Sequence, residues 1–293
     1  MHAGQDAIAR GTRVLRLGRD FRWPGGRRVA VVFNIVYEAW SDGKAPSIGP
    51  MGNPLPAGEF DTNALSWGNY GAERGIERLL RVLDQSKIRA SIMVNGVLAE
   101  RFPNTVRAIT AAGHEIVAHS YAQEIIPAKL TPEEDRANIL KTTEIFQSVT
   151  KVKPRGWISP RGTPGPETAR LLLEAGYQWQ GDVFDDDRPY VQLFGDRGLV
   201  AIPFIMDIND LPHAMRYGRS PRQFVELFDD VLVNARNNKT EAMMIDVTAH
   251  AHVYGRPAGA AAYEAITKKT KKLKDVWIAT RDEIAGDVRK TLG

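Results

Sequence analysis

The sequence predicts an α/β fold, a single-domain distorted (β/α) barrel with about seven parallel strands. Three observations predict it. Runs rich in β-branched residues alternate with amphipathic stretches of helical length, the pattern of βαβ units on a parallel sheet. No linker-like break divides the 293 residues, a length that suits one large α/β domain. Chemically capable polar groups recur at the ends of successive strand-like runs, which is where barrels gather their chemistry.

In order, residues 1–22 read as an N-terminal extension and residues 23–293 as the domain. After a "WPGG" turn, "RRVAVVFNIVYE" is a buried strand by composition. Residues 39–67 form a long loop rich in Gly and Pro. "YGAERGIERLLRVLDQ" reads as a helix with Ile76, Leu79, Leu80 and Leu83 on one face. A strand "RASIMV", short helices around "AERFPNTVRAITAAG" and a strand "HEIVAH" follow. "TPEEDRANILKTTEIFQSV" opens with Thr131 as cap, Pro132 at the first helical position and acids in the first turn, a strong helix start. Further strands are expected at "RGWIS", "YQWQG", "LVAIPF" and "EAMMIDVTA". Helices are expected at "GPETARLLLEAG", at "SPRQFVELFDDVLVNA" and near the C-terminus.

Composition excludes several classes. Net charge is +4, but 39 basic residues are interspersed with 35 acidic ones, and no basic block is interleaved with aromatics, so no nucleic-acid partner is expected. The densest basic run, Ile266 to Lys274, reads as the solvated face of a late helix. There is no cysteine, hence neither disulfides nor thiolate metal sites. No run has the length of a membrane span, and the first residues lack a leader's apolar core; a cytoplasmic protein is expected.

The strand-like runs end at Glu38, Asn95, His119, Ser159 to Arg161, Asp182, and His250 with His252. One such group is routine; six in succession are hard to explain as packing. In "GHEIVAHSYAQE", His119 would begin a metal-binding pair, yet the residue one helical turn later is Gln123. "DVFDDDRPY" lacks the alternating oxygens and glycine of a calcium loop, and reads as a structural or substrate-lining segment. "INDLPH" sets Asn209 and Asp210 after the sixth strand, where pairing with that acidic loop is expected.

Five stretches in order, "VVFNIVYEAW", "GHEIVAHSYAQE", "RGWISPRGTPGPET", "LVAIPFIMDINDLP" and "AHAHVYGRP", give the chain its family likeness. It resembles the polysaccharide deacetylase superfamily, the NodB-homology fold, and within it the branch of allantoinases and cyclic imidases. The resemblance implies a catalytic set of Glu38, His119, Arg161 and His250. Glu38 stands for the family's metal-binding acid, His119 for the first metal histidine, Arg161 for the arginine that orients the base, and His250 for the general acid. Val36 occupies the position of the family's aspartate base, and Gln123 that of the second histidine.

Trp40, Tyr121, Gln123, Asp182 and His252 are assigned to substrate binding. No metal ligand set and no cofactor are expected, a weakly held divalent metal such as zinc being the alternative. The implied activity is hydrolysis of a non-peptide C–N bond in a linear or cyclic amide, imide or ureide. A catalytically inactive carbohydrate or small-amide binder and a metal-dependent sugar N-deacetylase stand as alternatives. The expected partners are a small-molecule amide or amino-sugar substrate and further copies of the chain in a homo-oligomer, with no membrane.

Overall fold

A computed structural model describes residues 13–45, 55–56 and 59–292. The chain enters through β1 (Arg13–Arg16) and then β2 (Val29–Tyr37), whose nine residues are all buried. An apolar run rich in β-branched and aromatic residues, broken only by Asn34, suits a strand covered on both faces. Next come α1 (Thr62–Tyr70), a π-helical turn over Gly71–Gly75, α2 (Ile76–Ser86), β3 (Ser91–Val94), α3 (Gly96–Arg101), α4 (Pro103–Ala111) and β4 (Glu115–Ala118). They are followed by α5 (Pro132–Thr150), β5 (Gly156–Trp157), α6 (Thr168–Glu174), β6 (Trp179–Gln180), β7 (Tyr190–Phe194) and β8 (Arg197–Ala201). The chain ends with α7 (Pro221–Asn237), β9 (Met243–His250), α8 (Pro257–Lys271), β10 (Val276–Ala279) and α9 (Arg281–Leu292). Helix α5 begins as its sequence predicts: Thr131 as cap and Glu134 at the third helical position form a reciprocal capping box across Pro132.

Among the described residues ten strands form one curled sheet, the distorted barrel expected. Strand β2 carries β9 along one edge; along the other it pairs first with β10 and then with β3. From β3 the parallel order continues through β4, β5, β6 and β8. Eight strands are thus parallel, and β7 and β1 extend the sheet antiparallel beyond β8. The acidic stretch read as a lining segment leads into β7 of that hairpin, which turns at Gly195 with φ 66°. Arg13–Arg16, placed by the sequence in the extension, are the edge strand of the sheet. The loop read over residues 39–67 ends earlier than expected, because Asp61 caps α1 through the backbone N–H of Ala64 and Trp67 is helical.

The sheet does not close between β8 and β9. The segment after β8 fills the seam: Ile205 N–H donates to Asp246 at 3.0 Å, and Thr248 N–H to the Ile208 carbonyl at 2.9 Å. Behind it lies Arg281, fully buried, donating to Asp246 (2.5 Å), Asn34 (3.1 Å) and the Ile202 carbonyl (3.3 Å).

Alternation along β2 sorts its side chains. Val31, Phe33, Ile35 and Tyr37 join the core under the helices, while Ala30, Val32 and Val36 join a second core inside the barrel. Glu38 continues the inner row after β2, as His119 after β4 continues the row of Val117. In β9, Ile245, Val247 and Ala249 face the helices and Met244 faces inward, so His250 ends the inner row there too.

Candidate active site

Glu38, His119 and His250 line one cavity of about 120 Å³ at the C-terminal ends of the strands, together with Gln123, Ser159, Arg161 and Asn209. Its inner wall is Val36, Met93 and Ile158; its outer part is Phe184, Phe204, Met206, Leu211 and Pro212.

Backbone clamps hold the strand ends in place. Asn95, fully buried, accepts from the Ala39 N–H at 2.9 Å and donates to the His119 carbonyl. The Gln123 N–H donates to the Ala39 carbonyl at 2.9 Å. One asparagine therefore ties the residue after Glu38 to His119. The chain then turns sharply at Ser120, with φ 56°, and Asn138 secures that turn by accepting from the Tyr121 N–H (3.0 Å) and donating to the Ser120 hydroxyl (3.1 Å).

Glu38 is 4% exposed. Its Oε1 lies 3.5 Å from His252 Nε2 and its Oε2 lies 3.8 Å from His119 Nε2. Burial pushes the carboxyl up, but His119, His250 and His252 together outweigh burial and bring it down to about 2. It is ionised at neutral pH. His119 Nδ1 is 2.6 Å from the Ile158 carbonyl, which can only accept, so Nδ1 carries the proton of the neutral ring. Nε2, buried without a hydrogen-bond partner and facing Glu38, is a bare lone pair in that neutral ring and lowers the Glu38 pKa only when it is protonated.

His250 is held by a residue the sequence reading placed elsewhere. Asp210, fully buried, takes His250 Nδ1 at 2.6 Å and the His250 N–H at 2.8 Å, and accepts from the Tyr254 N–H at 3.1 Å. The expected pairing of Asp210 with the acidic loop is not made. The carboxylate fixes the proton on Nδ1 and leaves Nε2 for the cavity. Burial works against the imidazolium, but Asp210 and then Glu38 outweigh it and raise the His250 pKa. In sequence, Asp210 is 40 residues from His250, and only the curl of the sheet brings them together.

The remaining assignments divide. Gln123 lines the cavity with its side-chain oxygen unpartnered. Arg161 stands at the cavity's exposed side in a left-handed conformation (φ 59°, ψ 16°), and among the described residues it makes no ion pair with Glu38. Asp182 lies behind that turn rather than in the cavity, taking the Ser159 N–H (2.7 Å) and hydroxyl (2.6 Å). Burial pushes its carboxyl up to about 6. Tyr121 points away, with its hydroxyl on Glu100 at 2.8 Å and Lys141 over its ring. Trp40 and His252 are behind Glu38: the His252 ring, 1% exposed, meets the Trp67 ring at 4.5 Å and the Trp40 ring at 5.8 Å, both edge-on.

The family's metal position here offers one carboxylate, one imidazole and one neutral amide oxygen, from Glu38, His119 and Gln123. Two of these acceptors are orphaned, and either a cation or the protons of water would satisfy them. The donor chemistry decides: a catalytic zinc ordinarily takes three ligands of the histidine, carboxylate or cysteine kind. Among the described residues no group of three such side chains is disposed to hold a metal ion. The residues present do not fit a resident zinc.

Residues 60–179 match the family described as polysaccharide deacetylase. The chain is 27% identical over 269 residues to the peptidoglycan deacetylase of Helicobacter pylori, covering 80% of this chain and 90% of that one. Among solved structures it is similar to Puue allantoinase (TM-score 0.83, 27% identity, 99% of each chain). It is similar also to a probable polysaccharide deacetylase from Pseudomonas aeruginosa PAO1 (TM-score 0.82, 27% identity, 94% of this chain and 95% of that one).

Proposed function

Since the chain belongs to the polysaccharide deacetylase superfamily, we propose that it hydrolyses a non-peptide C–N bond of a small amide, imide or ureide without a resident metal. One observation carries this reading: an ionised carboxylate, Glu38, and an imidazole held in a fixed tautomer by Asp210 face the same cavity. They supply the base and the acid that hydrolysis of such a bond needs.

Water entering between Glu38 Oε2 and His119 Nε2 meets two acceptors and can donate a proton to each. Glu38 takes one as the water oxygen attacks the carbonyl carbon. The amide N–H groups of Gln123 are neutral donors available to the developing oxyanion. As the C–N bond breaks, His250 Nε2 delivers its proton to the leaving nitrogen. Collapse of the intermediate releases the carboxylic acid with its own hydroxyl proton, Glu38 returns the proton it took to solvent, and His250 is reprotonated from solvent. The cavity's size favours a compact substrate, because about 120 Å³ is below the usual range for drug-sized ligands.

Metal-dependent sugar N-deacetylation, suggested by the peptidoglycan relative, is disfavoured by the missing third ligand. Elemental analysis of the purified protein tests this directly. The metal-free reading expects well under one equivalent of transition metal and turnover of a hydantoin or cyclic imide that survives a chelator. One equivalent of zinc with chelator-sensitive deacetylation would overturn it. Wild-type protein that binds these amides without turning them over would support the binder instead.

A further inference from the structure

In the superfamily pattern the third-motif arginine orients the base whose position here is Val36, so nothing in that pattern provides for orienting Glu38. Here that arginine is Arg161, and it is out of the arrangement: exposed, on the cavity's outer side, with no ion pair to Glu38 among the described residues. The nearest charge-capable group to Glu38 is His252 Nε2, 3.5 Å from Oε1, against 3.8 Å for His119 Nε2 on Oε2. His252 is shut away from the cavity that Glu38 lines.

Its own placement is over-determined. Two tryptophan rings meet its ring edge-on. Its backbone turn is packed so closely by the π-helical turn that a Cβ on Gly75 would stand 1.8 Å from the Ala251 carbonyl oxygen, and a Cβ on Gly255 2.0 Å from the same atom. His252 Nδ1 is buried without a partner. The neutral tautomer with its proton on Nε2 leaves a bare nitrogen there rather than an unpaired N–H and directs its donor at Glu38. We propose that His252 is the positioning residue of Glu38: it holds Oε1 from behind, so that Oε2 is the oxygen presented to water.

This inference rests on Glu38 being the base, and its test separates the two. With ¹³C-carboxyl-labelled glutamate, the Glu38 resonance is assigned by its loss in Glu38→Gln and titrated in wild type, His252→Leu, His252→Gln and Arg161→Gln. Turnover is measured on whichever cyclic amide the wild type hydrolyses. In His252→Leu, Glu38 titrates at higher pH than in wild type, and kcat falls about tenfold to a hundredfold with KM little changed. His252→Gln, which keeps a donor of similar reach, restores most of kcat, and Arg161→Gln leaves the Glu38 titration where it was. An unmoved Glu38 resonance in His252→Leu, or an equal movement in Arg161→Gln, overturns the assignment. Should His252→Leu fail to fold, His252→Gln still decides: a loss of kcat as large as that of Glu38→Gln would show that a donor at this position is not the relevant property. If wild type turns nothing over, the proposed function fails while the titration still tests the positioning.

Discussion

Two clusters of buried polar side chains share the barrel interior, one layer apart along the inner row of β2. The lower one is Asn34, Asp246, Thr248 and Arg281; the upper one is Glu38, His119, His250 and His252, with Asp210. Val36, Met93 and Ile158 separate them. In the lower cluster none of the buried side-chain nitrogens or oxygens lacks a hydrogen-bond partner, whereas in the upper one His119 Nε2 and His252 Nδ1 both do, as does Gln123 Oε1 beside them. A buried polar atom without a partner is costly, so a fold that keeps several together has a use for them. The lower cluster plugs the seam of an unclosed sheet; the upper one waits for something that carries protons.

The largest effect expected from breaking this contrast is on turnover. Glu38→Gln and His250→Ala should each lower kcat by about 10²- to 10⁴-fold, with melting temperature unchanged or higher, read by steady-state kinetics beside calorimetry. Equal losses of stability and activity would mean that the upper cluster is structural after all. Arg281→Met should do the reverse. It leaves the Asp246 carboxylate buried and unpaired, at a cost of about 3–5 kcal/mol in a denaturant titration, with the folded fraction retaining normal kcat.

The third test concerns Asp210, which raises the His250 pKa. An acid must hold its proton, so activity is lost as pH rises through that pKa. Asp210→Asn should therefore move the alkaline limb of kcat/KM to lower pH. The same raised pKa stabilises the fold below the unfolded value and ceases to do so as pH rises through the folded one. The smallest effect belongs to His252, whose pKa burial lowers to about 4 from 6.5. Between those values the unfolded chain binds the proton and the folded one does not, so stability falls as pH falls, by roughly 1 kcal/mol per pH unit. In His252→Gln the melting temperature should be flatter across that window.

The fold was legible because its signals are local. The apolar run of β2, the Thr131 cap with Pro132 and the alternation into "TAHAH" each act within a few residues. The convergence of Glu38, His119 and His250 followed from their places at strand ends. What escaped the sequence reading depends on the third dimension. Asp210 meets His250 only because the chain crosses the seam beside β9. Asp182 braces Ser159, and Trp40, Tyr121 and His252 stand outside the cavity, because the residue after a strand can turn either into the barrel or away from it. Antiparallel β1 and β7 were missed because short edge strands carry little periodicity.

That edge has a bearing on how copies of the chain can meet. A sheet grows by hydrogen-bonding a neighbour along its free margin, and β1 is that margin beyond β7. Among the described residues it is four residues long, bounded by Arg13 and by Arg16, which is ion-paired with Asp186, so it offers a second copy very few backbone bonds. Sheet continuation through the described margin is thereby discouraged.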